Sequence, residues 1–276
     1  MNELQSMMHR LLKEAGDLML SYADPKVSLK PGRANFVTEA DIAVQAKLME
    51  ALKLVFPNAS FLAEEEKEHH LAEGLTFVID PIDGTTNYMR HHRESVISVG
   101  AVEHGRTVFG AVFDPYHQDF YWAERGKGAW KNDTRLHVSD KGMDEALVAL
   151  GTSPYAQEYL QKTADSMIRL LRVCVDVRRS GSAALDLCHV ADGTMDASFE
   201  WILQPWDYCA GSLLVEEAGG KVGHLDGHPL AFDRGRSFMA ANARCFTPMM
   251  EMLNDETSDG PACSAAQPDD DVHSER

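Results

Sequence analysis

Positive charge is what this chain has least of for its size. Against 43 Asp and Glu there are only 26 Lys and Arg in 276 residues, a formal net charge of −17. Binding to nucleic acid backbones or anionic membranes draws on Lys and Arg through counterion release, so unaided contact with either is not expected. Long apolar runs are also missing: none reaches the ~20 residues needed to span a bilayer. The N-terminus lacks the charged-then-apolar signal pattern, so a cytoplasmic location is expected. The five cysteines, Cys174, Cys188, Cys209, Cys245 and Cys263, form no C-x-x-C pair and are odd in number. Reduced thiols are the simplest account of them. No internal repeat is visible.

What is present suffices for a substantial core. A hydrophobic content of 44% over this length can bury one large core or two joined ones. Within it, Leu75-Thr76-Phe77-Val78-Ile79 reads as a buried strand running into Asp80-Pro81-Ile82-Asp83-Gly84-Thr85-Thr86-Asn87. Two Asp three positions apart, with a stiffening Pro between them, point into one small volume. Carboxylates that close raise each other's pKa unless a cation lies between them, and hard divalent ions such as Mg2+ take oxygen ligands. Gly84-Thr85-Thr86-Asn87 suits a turn into a helix start, where free N–H groups hold an anion. Metal beside phosphate is the arrangement of metal-assisted phosphate ester hydrolysis. An Asx-rich turn accounts for the same residues when they are taken alone.

Two further acidic stretches bear on that choice. Glu64 directly follows the apolar Phe61-Leu62-Ala63, at a second strand end, whereas Glu66 and Glu68 read as surface charge. Asp207, in Trp206-Asp207-Tyr208-Cys209-Ala210-Gly211, precedes a helical pattern ended by Gly219-Gly220. It reads equally as an N-cap or as a metal ligand. Cys209 lies close by, but a soft thiolate suits Mg2+ poorly and packing is its expected role.

Glu64-Glu65, Asp80 through Asn87, and Trp206-Asp207 with Ala210-Gly211 together resemble the inositol monophosphatase family of Mg2+-dependent, lithium-sensitive phosphatases. The resemblance extends to about Leu253, with Ala63 where the family usually has Gly. It implies an α/β (α+β) fold, a layered α-β-α-β-α sandwich of the sugar phosphatase type, and a homodimer. It also implies two or three Mg2+ ions held by Glu64, Glu65, Asp80, the carbonyl of Ile82, Asp83 and Asp207. Thr85, Asp41 and Glu64 would be catalytic, activating water. Substrate contacts would come from Asp83, Gly84, Thr85, Gly181, Ser182, Ala183, Glu200 and Asp207. The substrate class is inositol monophosphate or a similar polyol or sugar phosphate. Fructose-1,6-bisphosphate, 3′-phosphoadenosine 5′-phosphate and histidinol phosphate are alternatives of the same fold, and a protein-binding regulatory role is an alternative of another class.

Taken in order, the chain opens with an amphipathic helix from about Leu4 to Tyr22, apolar at Leu4, Met8, Leu11, Ala15, Leu18 and Tyr22. Val27 to Lys30 reads as a short strand and Pro31 to Asn35 as a loop; a second helix is expected from Ile42 to about Val55. Asp41 charges or caps its first turn, and only the resemblance, through Val37-Thr38-Glu39-Ala40-Asp41, lends it a catalytic part. Lys30 alone reads as a solvated lysine, although it too matches the family's water-activating set. His69-His70 and Arg90-His91-His92-Arg93 read as solvated surface. Alternation at Val96–Val99, Thr107–Phe113 and Asp119–Ala123 predicts an antiparallel meander.

A second lobe is expected from residue 145, giving lobes of 1–144 and 145–253 and a disordered acidic tail of 254–276. Ala146–Leu150 and Cys174–Val177 read as strands, and Tyr155–Leu171 and Ser182–Val190 as helices, the last capped by Ser180 or Ser182. Trp201 and Gln204-Pro205 are expected to line the substrate mouth with Glu200.

Overall fold

The apolar spacing near the N-terminus becomes helix α1, Glu3–Ser21, in the computed structural model, which describes residues 3–30, 32–66 and 71–255. Met8, Leu12, Ala15 and Met19 are fully buried along one face. Strands β1 (Val27–Leu29) and β2 (Phe36–Thr38) pair as a short antiparallel ribbon. Helix α2, Glu39–Val55, starts three residues earlier than the apolar pattern predicts. The reason is a capping box: Thr38 accepts from the N–H groups of Ala40 and Asp41, and Asp41 accepts the N–H of Thr38.

A seven-stranded sheet follows in chain order: β3 (Ser60–Ala63), β4 (Thr76–Asp83), β5 (Val96–Glu103), β6 (Arg106–Asp114), β7 (Asp119–Glu124), β8 (Ala129–Lys131) and β9 (Thr134–Arg135). Only β3 and β4 are parallel, and the predicted meander is β5 to β7. Strand β4 does not stop at the first carboxylate. It continues to Asp83 with its register against β5 shifted between Asp80 and Asp83, the place where Pro81 removes a ladder donor. The five-residue helix α3, Thr85–Met89, leaves from there.

The second sheet has spatial order β11-β10-β12-β14-β13. Its strands are β10 (Leu147–Leu150), β11 (Asp176–Arg178), β12 (Ala197–Leu203), β13 (Lys221–Gly223) and β14 (Arg236–Ala241). Strand β10 is parallel to both neighbours, and β14 is antiparallel to both of its own. The helices are α4 (Leu160–Leu171), α5 (Ala183–Ala191), α6 (Pro205–Glu217) and α7 (Ala243–Asn254). A separate 3-10 turn, Gln157–Tyr159, occupies the predicted start of α4, and β11 begins two residues later than expected.

Helices α1 and α2 cover the outer face of the seven-stranded sheet, and α4 and α7 the outer face of the five-stranded one. Helices α5 and α6 lie between the sheets, completing the expected α-β-α-β-α layers. Helix α6 is buried on nearly all sides from Pro205 to Val215, as its lack of a polar face requires. Glycines let it come close. A Cβ on Gly100 would stand 2.4 Å from Cys209 Sγ, one on Gly110 2.7 Å from the Ala210 carbonyl, and one on Gly211 2.5 Å from Leu187 Cδ1. Cys209 is thus a packing residue, its thiol pushed up to about 12 by burial. Cys174, Cys188 and Cys245 are also free, while Cys263 lies outside the described residues.

Gly110→Ala is expected to cost about 1–3 kcal/mol, because the backbone of α6 cannot yield to the added methyl as a side chain could. Gly74→Ala, with open space around its Cβ, should change stability by less than about 0.5 kcal/mol. Urea midpoints of the two variants measure the difference.

Candidate active site

Strand ends and helix starts from both sheets converge on one cavity of about 170 Å³. Parallel pairing of β3 with β4 sets Ala63 beside Ile79, so Glu64 and Asp80 lie side by side where that pairing ends. Asp80 turns back to accept the Ile82 N–H at 3.0 Å, fixing the Pro81 corner. Asp83 reaches across to the start of α5, where one carboxylate oxygen accepts from Ser182 Oγ and the Ala184 N–H, both at 2.6 Å. Ser182, and not Ser180, is the helix cap. Asp207 is not the N-cap of α6. Gln204 holds that position with Pro205 after it, and Asp207 sits at the third helical position accepting the Gln204 N–H at 2.7 Å.

One carboxylate oxygen from each of Asp80, Asp83 and Asp207 lies within 4.8 Å of those of the other two. Burial is the largest cause pushing all three upward, joined by repulsion from one another and from Glu64. Asp83 reaches about 6, restrained by its bonds to Ser182 and Ala184, while Asp80 and Asp207 stand well above the carboxylate range. Three carboxyls so enclosed cannot all ionise without a cation among them. The donor set, all hard oxygen with the Ile82 carbonyl alongside, fits Mg2+ or Ca2+ and offers no soft ligand.

Beside this cluster, Thr85 Oγ1 donates to the Ile82 carbonyl at 3.1 Å and stands 3.4 Å from Asp41. Burial pushes Asp41 up to about 6 against the pull of its Thr38 bonds. Lys30 is not solvated: its ammonium bridges Glu64 at 2.8 Å and Glu65 at 2.5 Å. Burial lowers the Lys30 pKa, but the two carboxylates outweigh it and the net shift is upward. Glu65 is pushed up to about 7 by burial and by Glu64. Its carboxylate turns to Lys30 while its N–H donates to Gln45, so it does not line the cavity as Glu64 does.

Gly84, Thr85, Gly181, Ser182, Ala183 and Glu200 all line the cavity. Glu200 accepts the Ser153 N–H at 2.6 Å and its Oγ at 2.7 Å, and burial raises it to about 7. Its other oxygen fills the place of a side chain on Gly151, whose Cβ would stand 1.8 Å away. Trp201 does not share this mouth. Successive strand residues face opposite ways, and Trp201 lines a separate cavity of about 760 Å³ with Tyr159, Lys162 and Arg169. Gln204 and Pro205 do not line the site either. Arg90 to Arg93 are exposed, Glu66 is exposed, and His69-His70 with Glu68 lie outside the described residues.

Arg179 and Asp186 line the cavity and were not singled out from the sequence. The signal for Asp186 was an acid inside the apolar run Ala183-Ala184-Leu185-Asp186-Leu187, which an external helix face does not explain. It is buried, pushed up to about 8 mainly by burial, and its Oδ1 has no hydrogen-bond partner.

Comparison with known proteins bears on the family and the fold. The profile of the inositol monophosphatase family matches residues 1–257. The Nus factor SuhB of Escherichia coli is 35% identical over 255 residues, covering 91% of this chain and 95% of that protein. The crystal structure of the extragenic suppressor protein suhB from Bartonella henselae superposes with a TM-score of 0.85 at 29% identity, covering 92% of this chain and all of the other. An IMPase of Thermotoga maritima gives 0.84 at 28% identity, over 92% and 97% of the two chains.

With divalent ions chelated, the thermal midpoint is expected to fall as pH rises from about 4 to about 8. Asp41, Asp83, Glu200 and Asp186 bind protons more tightly folded than unfolded, so their contribution is complete below about pH 4 and is lost as pH rises to the folded value of each, about 6 for Asp41 and Asp83, about 7 for Glu200 and about 8 for Asp186. Asp186→Asn, which cannot ionise, should flatten the upper end of the curve near pH 8. Differential scanning calorimetry across pH checks both, and a curve unaltered by Asp186→Asn would contradict the burial of that charge.

Proposed function

The chain belongs to the inositol monophosphatase family, and from that premise we propose that it is a Mg2+-dependent phosphomonoesterase acting on inositol monophosphate or a similar polyol or sugar phosphate. The observation that carries the reading is the buried Asp80–Asp83–Asp207 cluster opening on the cavity next to the Thr85–Asp41 pair.

Asp80, Asp83 and Asp207, with Glu64 and the Ile82 carbonyl, would hold two Mg2+ ions, while Glu65, turned to Lys30, would stand outside them. Bound there, Mg2+ supplies Lewis acidity that polarises the phosphoryl group and makes water nucleophilic near neutral pH. The chain's own part is positional. Thr85 Oγ1 donates to the Ile82 carbonyl at rest, leaving lone pairs to accept from the attacking water and orient it; when the water's proton passes to Thr85, the proton Thr85 already carries turns to Asp41, 3.4 Å away, so one proton arrives and one leaves. The N–H groups of Gly84 and Thr85 are placed to bind phosphate oxygens, and Gly181, Ser182, Ala183 and Glu200 to meet the polyol. Ser182 is committed to Asp83 and Thr85 to Ile82, so neither hydroxyl is a free nucleophile and water attacks in line.

A protein-binding role is a second reading, supported by the name Nus factor borne by the relatives and by one surface. Helix α4 turns Thr163 and Ser166 inward and Leu160, Met167, Ile168 and Leu171 outward, continuing to Val173 and Val175. An outward apolar face of this kind is covered in an assembly, and the homodimer expected of the family is its simplest occupant. Among the described residues no helix is long and apolar enough to cross a membrane, in keeping with the proposed cytoplasmic location.

Phosphate release from a panel of inositol, sugar, nucleotide and histidinol phosphates at fixed Mg2+ tests the leading reading, with chelator expected to abolish it. Asp83→Asn should lower turnover by orders of magnitude with the fold retained; near-normal rates at saturating Mg2+ would remove Asp83 from the metal site. Li+ is expected to inhibit. A pull-down repeated with Asp207→Ala separates the second reading, since a docking partner would be retained by the variant.

A further inference from the structure

The cavity beside Trp201 takes no part in the proposed reaction, and its charge runs against that of the chain. Lys and Arg number only 26 in a protein of net charge −17, yet Lys162, Arg169, Arg234 and Arg236 all line this one space, against three acids. Those acids do not account for the cations. Arg236 alone takes Asp226 at 3.4 Å and Asp233 at 3.2 Å. Arg169 spends its Nη1 on the main-chain carbonyl of Asp255 at 2.6 Å, tying α4 to the end of α7. The Arg234 guanidinium and the Lys162 ammonium have no hydrogen bond or ion pair among the described residues.

The same cavity has an aromatic wall. The Trp201 indole stands edge-on to Phe199, with centroids 5.1 Å apart and planes at 82°, and lies nearly parallel to the Tyr159 ring, at 10° and 6.4 Å. Its Nε1 donates to Ser166 Oγ at 3.1 Å, so its orientation is fixed and its one polar group is spent. What remains on offer is a π face, over which the Lys162 ammonium rests at 5.2 Å. At about 760 Å³ the space has the size of a small-molecule site, about 300–1,000 Å³. Glu200, one residue earlier on β12, lines the substrate cavity instead, so a ligand in one space leaves the other open.

A ligand that suits both walls carries a flat aromatic ring and several negative charges on one flexible tether. A sugar phosphate lacks the ring, and a nucleic acid strand would meet the repulsion of the acidic surface beyond the cavity. We propose that this cavity binds a free nucleoside polyphosphate, its base stacked on Trp201 and its phosphates on Arg234 and on Lys162, which leaves the ring to meet them. The inference goes beyond the phosphatase reading and does not rest on it.

The test is calorimetric titration of the full chain with ATP and with inorganic triphosphate, which carries the charge without the base. EDTA is present throughout, so that the aspartate cluster has no divalent ion with which to hold phosphate. ATP is expected to bind at least about tenfold more tightly than triphosphate, the measure of base stacking on an aromatic ring. Trp201→Leu should bring ATP down to the level of triphosphate, and Trp201→Phe, which keeps a π face, should recover part of the difference. Arg234→Gln, at an exposed position where packing is not disturbed, should weaken both ligands by about threefold. Should Trp201→Leu fail to fold, the wild-type comparison and Arg234→Gln decide the matter. Equal affinity of the wild-type chain for ATP and triphosphate would overturn the proposal by leaving only a cationic surface. ATP binding unaltered by Trp201→Leu or by Arg234→Gln would overturn it by placing the nucleotide elsewhere, and no binding of ATP at millimolar concentration would overturn it outright.

Discussion

Mutual repulsion among enclosed carboxylates is the constraint around which this molecule is arranged. Asp80, Asp83 and Asp207 are packed so close, and so far from bulk water, that the fold would discharge them by protonation if nothing else were supplied. Such clusters are costly as structure and useful as sites. Each member is held by donors that favour its charged form: Ser182 and Ala184 for Asp83, the Ile82 N–H for Asp80, the Gln204 N–H for Asp207. These bonds orient the oxygens without neutralising them, leaving the charge to a bound cation. The net charge of −17 is compatible with a phosphate substrate for the same reason, because a bound divalent ion is the largest local charge.

Holding three segments that far apart in sequence demands a rigid scaffold, and helix α6 supplies it. Its apolar sides are pressed between the two sheets and against α5 where glycines replace side chains. Asp207 therefore arrives in the cavity from the second half of the chain with little freedom to retreat. The start of α5 does the complementary work by gripping Asp83 from the first half. The site is thus also the seam between the sheets, which makes the cluster sensitive to packing well away from it.

Much of this was legible in the sequence where the local rule and the tertiary role agree. The apolar run into Asp80, the alternation from Val96 to Ala123 and Glu64 after the end of β3 each point to their observed places, while β4 carries on three residues past Asp80 to Asp83. The misreadings have physical causes. Asp207 lies at the third position of its helix, in a capping box whose true cap, Gln204, is no apolar marker. Trp201 follows Glu200 so closely that proximity in sequence suggested a shared mouth, but strand alternation sends them to opposite faces. Lys30 and Arg179 sit in short loops whose course no periodicity reports, so their placement beside acids from distant strands could not be read from spacing.

The central claim is that the three-aspartate cluster exists to take a divalent cation in exchange for protons. Calorimetric titration of the chain with Mg2+ near pH 7, in two buffers of different ionisation enthalpy, measures it directly. The account predicts binding that releases protons, in amounts that shrink as pH rises above the range in which these buried acids titrate. Mg2+ binding without proton release, or no binding stronger than that of an Asp80→Asn chain, would contradict it.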